Sequence, residues 1–133
     1  MRIEAYLRVL GCEHAIRAIH EATNLPDAEI MELKARVDPV GKEIWWNWQT
    51  VRVPIDIDKT DEGLKELLLA HRSIFPIIRK YKETDIYVEV VMQYEEGEEP
   101  WGLYMSVETI TLLGEMGGAL DVDAVTLLKK SHK

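Results

Sequence analysis

The chain has little cysteine, no long apolar run and no concentrated basic segment, and each shortage excludes a class of protein. Cys12 is the only cysteine among 133 residues, so neither an internal disulfide nor a thiolate-rich zinc site can form. The apolar stretches are short, such as residues 67–70, and none approaches the roughly 20 residues that cross a bilayer. The first residues lack the apolar stretch of a signal peptide, which predicts a cytoplasmic protein without a membrane span.

Positive charge is also scarce. The chain has 24 acidic and 16 basic residues, and its formal net charge is −8. Nucleic-acid-binding proteins normally carry a concentrated basic face, whereas the basic residues here are scattered apart from residues 79–82 and 129–130. The balance argues against a nucleic-acid partner, and it favours fast encounter with a cationic protein.

The remaining composition is that of an ordinary globular protein. With 133 residues, of which 47% are hydrophobic and 30% charged, the chain is long enough to bury one core. No linker-like segment divides it. We therefore expect a single domain over residues 1–133, in which residues 129–133 form a flexible tail.

Hydrophobic periodicity predicts an α+β fold with a single mixed or antiparallel sheet. The expected order is strand-helix-strand-strand-helix-strand-strand-helix-strand, with about six strands and about three helices packed on the sheet. Two-residue alternation predicts strands within residues 3–10, 31–37, 43–53, 86–94, 101–105 and 120–123. Helical spacing predicts helices at residues 13–23, 61–82 and 106–116, the second of them broken at Pro76.

Three local features refine this prediction. The apolar parity of residues 43–53 switches near Gln49-Thr50, which indicates either a bulge or a change of strand partner there. A turn at residues 95–100 predicts a hairpin between the strands on either side of it. The units at residues 3–37 and 101–125 both read strand-helix-strand, so we expect similar architecture in the two.

A family resemblance covers nearly the whole chain. It rests on residues 5–9 (Ala-Tyr-Leu-Arg-Val), Leu25-Pro26, a tryptophan-containing strand and the closing unit at residues 103–123. In that unit a strand, Ser106-Val107-Glu108 and a leucine-bearing helix precede Leu120-Asp121-Val122-Asp123. The sequence resembles the bacterial family catalogued as domain of unknown function 4279. The resemblance implies no established catalytic residues, and small acidic domains of this kind are suspected to be immunity proteins of toxin systems.

Two surface features are candidates for protein binding. The first is the acidic turn formed by Glu95, Glu96, Gly97, Glu98 and Glu99, which could dock a basic partner or simply be a solvated turn. The second is the surplus of tryptophans, of which Trp46 and Trp48 are expected in the core. Trp45 and Trp101 are then available as aromatic anchors, although packing against neighbouring strands would equally explain them.

Cysteine and histidine give weak signals of chemistry. Cys12 lies at a strand-to-helix turn near His14, but the two would point to different faces, and a half-buried structural cysteine is the commoner outcome. The four histidines include no pair at metal-ligand spacing. His71 lies on an apolar helical stripe and is expected to be a hydrogen-bonded residue at the edge of the core.

Paired carboxylates could in principle bind a divalent ion or act as acid and base. Asp121 and Asp123 share one face of a predicted strand, and Asp56 and Asp58 could do the same, although solvent exposure explains both pairs. The nuclease-like set comprises Asp27, Glu32 and Lys34. Its members lie too close in sequence for the two strands that such sites use.

The leading hypothesis is a noncatalytic protein-binding module, specifically a bacterial immunity-type inhibitor that neutralises a cationic toxin. It requires no metal and no cofactor, and its expected binding residues are Glu95, Glu96, Glu98, Glu99, Trp45 and Trp101. An alternative is a small-molecule-binding domain or minor enzyme whose pocket is lined by tryptophan and by Asp121 or Asp123. A third hypothesis is a homodimer that pairs edge strands.

Overall fold

The computed structural model describes residues 1–33, 45–99 and 102–127, and six strands and four α-helices lie within these ranges. The strands are β1 (Arg2–Gly11), β2 (Glu29–Glu32), β3 (Trp46–Gln49), β4 (Val53–Ile55), β5 (Asp85–Glu95) and β6 (Ala119–Leu127). The helices are α1 (Glu13–Thr23), α2 (Thr60–Ala70), α3 (Phe75–Arg79) and α4 (Val107–Met116), with a 3-10 helix at Arg72–Ile74. The predicted α+β class is confirmed.

All six strands of the described ranges belong to one mixed sheet. Its order is β2-β3-β1-β5-β6, and β4 pairs with β1 beyond the end of β3. Every pair is antiparallel except β5 and β6, which are parallel and joined by α4, because parallel neighbours need a crossover connection. The central strand is therefore β1, and β6 is the last strand of the sheet on its β5 side.

The two faces of the sheet differ in chemistry. The odd-numbered residues 3–9 of β1 are buried in one hydrophobic core with side chains from all four helices, and we call this side the helix face. The register pairs Tyr6 with Glu89 and Arg8 with Gln49, so these four residues lie on the opposite side, which we call the second face. Polar and charged groups therefore collect on the second face.

A bulge interrupts the strand that follows the tryptophans. Both β3 and β4 pair with β1, and between them their segment spans one residue more than β1 does. Thr50 bridges the interruption, since its N–H donates to Leu7 O and its Oγ1 accepts from Leu7 N, both at 3.0 Å. The predicted irregularity at Gln49-Thr50 is confirmed as a bulge, and a change of strand partner is wrong.

The helix boundaries follow local signals in the sequence. Asn24 ends α1 in the left-handed conformation (φ 48°), and Gly117 ends α4 in the same way (φ 75°). Pro76 lies in the first turn of α3, where it displaces no helical hydrogen bond, and it separates α3 from α2 as predicted. No helix in the described part of the chain is long and apolar enough to cross a membrane.

The predicted hairpin after the acidic turn is wrong. Residues 102–106 form no strand, and Leu103 and Met105 pack against the hydrophobic core instead. Both lateral edges of β5 are already occupied, one by β1 and the other by β6. The second strand-helix-strand unit consequently begins at β5 and not at residue 101, and its last strand is longer than expected.

The strand predicted at residues 31–37 is also displaced. It begins at Glu29, and Ile30 packs against the core, whereas Met31 is 40% exposed. Alternation establishes the two-residue period but not which parity faces the core, and a shift by one residue inverts every side chain. Predictions for residues 34–37, for Trp101 and for the tail at residues 129–133 lie outside the described residues.

Candidate functional site

The acidic turn is exposed and follows β5 directly. It closes through a hydrogen bond from Glu98 N to Glu95 O at 3.0 Å, and Gly97 adopts a positive φ of 94° that favours glycine. The Glu98 carboxylate accepts from Glu95 N at 2.9 Å and from the Met1 amine at 3.1 Å. The pKa of Glu98 is lowered chiefly by the hydrogen bond from Glu95 N and next by the Met1 amine. Glu95, Glu96 and Glu99 are therefore the members that project into solvent without such bonds within the described residues.

Strand β6 extends this acidic region along the sheet. Glu95 is the register partner of Leu127, so the turn adjoins the far end of β6. Asp121 and Asp123 are exposed and are in register with Glu89 and Val91 of the second face. Within the described residues β6 pairs only with β5, and its other backbone edge has no strand partner. We call β6 together with Glu95, Glu96 and Glu99 the acidic edge.

Apolar side chains are interspersed along the acidic edge. Val122 is 43% exposed and Val125 is 39% exposed, on opposite sides of the strand. An edge strand of nine residues with exposed apolar side chains is a template for pairing with another extended chain. The two aspartates restrict which chains can pair there, because like charges oppose close approach.

Of the three described tryptophans, Trp48 belongs to the core and Trp46 to its border. Trp48 is buried, as predicted, and Trp46 packs at the edge of the core, where the Arg17 guanidinium lies 4.7 Å from its ring centroid. This cation–π contact explains the position of Trp46 without a ligand. Trp45 precedes β3, is half-buried, and accepts a hydrogen bond from Leu33 N through its carbonyl at 2.9 Å.

Trp45 and the acidic turn are not brought together. Trp46 pairs with Gly11 at one end of β1, whereas Gln93, just before the acidic turn, pairs with Arg2 at the other end. Since a strand rises about 3.3 Å per residue, the two candidates are separated by about 30 Å. They cannot contribute to one small contact surface.

A polar cluster on the second face was missed by the sequence reasoning. Arg8 Nε donates to Asn47 Oδ1 at 2.6 Å, and Arg8 Nη1 donates to Glu89 Oε1 at 3.1 Å. Asn47 Nδ2 in turn donates to Gln49 Oε1 at 2.9 Å. The available signal was one acidic residue inside the apolar run at residues 88–92, where a charge needs a partner.

Glu89 has the most perturbed environment in this cluster. Its burial raises the pKa to about 7, and a hydrogen bond with the Asp121 carboxyl raises it as well, although Arg8 acts in the opposite direction. Glu89 is only 3% exposed. The carboxyl is thus held beside a second carboxylate with a single guanidinium in contact.

The cysteine and histidine candidates within the described residues are not assembled into a site. Cys12 caps α1 at its N-terminus and is exposed, so the expected half-buried position is wrong, and His14 is exposed as well. His71 is half-buried, and its Nδ1 lies 2.8 Å from Leu67 O, which confirms the prediction of a hydrogen-bonded residue at the core edge.

The carboxylate pairs have different outcomes. Asp56 and Asp58 do not share a strand, because β4 ends at Ile55 and Asp58 N donates to Asp56 Oδ1 at 2.9 Å in the turn that follows. Asp121 and Asp123 do share one face of β6. Among the described residues, no three or more histidine, cysteine, aspartate or glutamate side chains form a group that could hold a metal ion.

The two described residues of the nuclease-like set, Asp27 and Glu32, belong to no such metal-binding group. Asp27 lies in an exposed turn before β2, and Glu32 ends that strand. Lys34 lies outside the described residues.

Surface pockets in the described part of the chain include two beside the helices. One, of about 480 Å³, lies at the start of α2 between residues 57–62 and Tyr104. The other, of about 380 Å³, lies between α2 and α4. The ion pair Lys65–Glu108 (3.0 Å) joins α2 to α4, and Arg72–Glu115 (2.7 Å) joins the 3-10 helix to α4. Neither pocket contains a tryptophan or the β6 aspartates, so neither corresponds to the expected small-molecule site.

Comparison with known proteins adds no functional residue. The sequence matches no protein-family model and no curated relative. The resemblance to domain of unknown function 4279 therefore stays a prediction.

Proposed function

We propose that the chain is a noncatalytic protein-binding module that receives an extended cationic segment of its partner along the acidic edge. The observation that carries this proposal is the nine-residue strand β6, which ends the sheet and pairs only with β5 among the described residues. A partner segment added to such an edge gains backbone hydrogen bonds, and its alternate side chains contact the two faces.

The charge of the edge supports a cationic occupant. Asp121 and Asp123 project from β6, and the exposed Glu95, Glu96 and Glu99 lie at its far end. A partner with lysine or arginine at every second position would place its charges near these carboxylates. The overall charge of −8 adds long-range attraction, which acts mainly on the association rate.

The exposed valines support a partner of β-strand character. Val122 and Val125 offer apolar contact on opposite faces of the strand, which suits a segment that alternates β-branched and basic residues. Such strand pairing would fix the direction and the register of the bound segment, which charge attraction alone does not.

The biological role within this proposal is that of a bacterial immunity-type inhibitor in the cytoplasm. The partner would be a cationic toxin domain, whose basic surface the acidic edge occludes. The net charge of the chain and the chemistry of its edge support this partner class.

Fluorescence anisotropy with a defined peptide tests the proposal. The probe is a labelled ten-residue peptide of alternating valine and lysine, and the expected result is saturable binding that weakens with salt. The matched control peptide has the same sequence with an N-methyl group on every internal backbone nitrogen, so that neither of its edges can donate hydrogen bonds to a neighbouring strand. It keeps the charge and loses the ability to extend a sheet, so equal binding of both peptides would overturn the proposal.

Variants of the protein locate the contact. Glu95→Lys combined with Glu96→Lys should weaken peptide binding at least tenfold. Trp45→Ala should leave it unchanged, because Trp45 lies about 30 Å from the acidic turn and precedes β3, which β1 and β5 separate from β6. Successive N–H groups of a strand point to opposite edges, so one of Ala124→Pro and Val125→Pro removes an outward donor. If neither of these folded proline variants loses affinity, β6 is not the binding edge.

A further inference from the structure

Glu89 and Asp121 form a carboxylate pair that links the buried part of the second face to the acidic edge. They are register partners on the parallel strands β5 and β6. Glu89 is 3% exposed, whereas Asp121 lies on the last strand and is exposed. A group that approaches β6 from solvent therefore meets Asp121 first, with Glu89 directly behind it.

One cation contacts this pair within the described residues. Arg8 Nη1 lies 3.1 Å from Glu89 Oε1, and the same guanidinium also donates to Asn47. The charged and titratable side chains that face Glu89 are Glu4, Tyr6 and Arg8 from β1, Tyr87 from its own strand, Asp121 and Asp123 from β6, and Arg52, which stacks on the Tyr6 ring. Among these side chains, no basic group lies beside Asp121 and Asp123 on β6.

The pair consequently holds a proton under mildly acidic conditions. Burial and the hydrogen bond with Asp121 raise the pKa of Glu89 to about 7. When that proton leaves, a second negative charge appears behind Asp121. The edge is then more attractive to a cation than it was before.

We propose that the Glu89–Asp121 pair makes binding at the acidic edge proton-linked, so that a cationic partner side chain above Asp121 displaces the proton which the two carboxylates share. This inference rests on the proposed function, since it concerns the regulation of the same edge. By linkage, a partner that binds the ionised pair more tightly also drives its deprotonation. The partner is therefore held at neutral to alkaline pH and released on acidification.

The pH dependence of peptide binding tests the inference. With the alternating valine–lysine peptide, the dissociation constant of the wild-type chain should rise about tenfold from pH 8 to pH 6, as expected for one linked proton with a midpoint near 7. Glu89→Gln keeps an oxygen for Arg8 and gains an NH₂ group for Asp121, so it mimics the protonated state. Its affinity should be independent of pH and lower than that of the wild type even at pH 6, where about one-tenth of the wild-type pairs are still ionised.

Two controls assign the effect. Glu89→Gln retains every histidine, so loss of the pH dependence in this variant excludes histidine as its source. Asp123→Asn removes one charge from the same face of β6 but leaves the Glu89–Asp121 pair intact, and it should keep the tenfold dependence. If Glu89→Gln follows the wild-type pH profile, the inference is wrong.

Calorimetry provides a measurement that needs no variant. At pH 7, binding of the peptide should release about half a proton, which appears as a difference in binding enthalpy between two buffers of unlike ionisation enthalpy. Saturable binding without proton release or pH dependence would overturn the inference alone. Absence of binding at every pH would overturn the proposed function, and the inference with it.

Discussion

The carboxylate of Asp61, in the first turn of α2, caps the first turn of α4 by accepting a hydrogen bond from Ser106 N. The distance is 2.8 Å, and the two residues are 45 positions apart in the sequence. The same oxygen accepts from the buried hydroxyl of Thr109 at 2.8 Å. Ser106 is itself the N-cap of α4, with its hydroxyl accepting from Thr109 N at 3.3 Å. One carboxylate thus ties together two helices that cover the same face of the sheet.

Asp61→Ala should destabilise the fold by about 1–3 kcal/mol, because it leaves the Ser106 N–H and the Thr109 hydroxyl without their acceptor. Urea unfolding at pH 7 measures this loss. The control is Glu62→Ala, which removes an exposed acid from the same helical turn and should change stability by less than about 0.5 kcal/mol. Equal effects of the two variants would mean that helix-dipole electrostatics, and not the cap, account for the loss.

The Asp61 cap should also depend on pH. The hydrogen bond from Ser106 N lowers the pKa of Asp61 below its ordinary value of 3.8. A depressed folded-state pKa stabilises the protein above the unfolded-state pKa, and this contribution is lost as the pH falls through the folded-state value. The difference in stability between the wild type and Asp61→Asn should therefore be constant from pH 5 to 7 and shrink below about pH 3.8.

Glu89 should show the opposite sign. Its folded-state pKa is raised from 4.5 to about 7, so the folded state binds more protons than the unfolded state between these values. Stability must then fall as the pH rises through this window, by up to about 3 kcal/mol. Glu89→Gln carries no ionisable group there and should match the wild type near pH 5 while exceeding it in stability at pH 8. Urea titrations at the two pH values measure the difference, and parallel pH profiles of the two proteins would contradict the assignment.

Local periodicity and capping signals in the sequence predicted much of the fold. The core parity of β1, the bounds of α1 and the end of α4 at Gly117 depend on nearby residues and were predictable. The lack of a hairpin strand at residues 102–106 was not predictable, because alternation at residues 101–105 says nothing about whether β5 has a lateral edge left for pairing. The strand that takes this place, β6, is 24 positions further along the chain than the end of β5, as Glu95 and Ala119 show.

The candidate site was only partly visible in the sequence. The acidic turn and the β6 aspartates were found from composition and alternation. Their proximity, and the contact of Asp121 with Glu89, depend on the parallel pairing of β5 with β6, which periodicity does not specify. Trp45 was grouped with the turn because both were unusual, and the sheet places them at opposite ends of β1.

Two glycines of α4 should respond in opposite directions to alanine. Gly114 lies inside the helix, and an added Cβ would meet no atom within 4 Å, so Gly114→Ala should stabilise the protein by about 0.5–1 kcal/mol. Gly117 has a φ of 75°, so Gly117→Ala should destabilise it by about 1 kcal/mol through left-handed strain. Thermal unfolding measures both. Destabilisation by Gly114→Ala would show that this face of α4 is not open.

The charges of β6 should keep two copies of the chain from pairing along this edge. In such a dimer Asp121 and Asp123 of one copy would lie close to those of the other, and like charges in adjacent strands oppose pairing. Sedimentation equilibrium at pH 8 and low salt should therefore find a monomer. Combining Asp121→Asn with Asp123→Asn should strengthen self-association at least several-fold, because the exposed Val122 and Val125 then face a partner edge without repulsion.

The matched control for self-association combines Asp56→Asn with Asp58→Asn, which changes the net charge equally in a turn that lies outside the sheet. If both double variants associate to the same extent, the effect comes from net charge and not from the edge. A wild-type dimer at low salt would contradict the expectation directly, because it would mean that β6 pairs with itself despite its aspartates. The same edge would then be unavailable to a cationic partner until the dimer dissociates, and peptide affinity would decrease as the protein concentration rises.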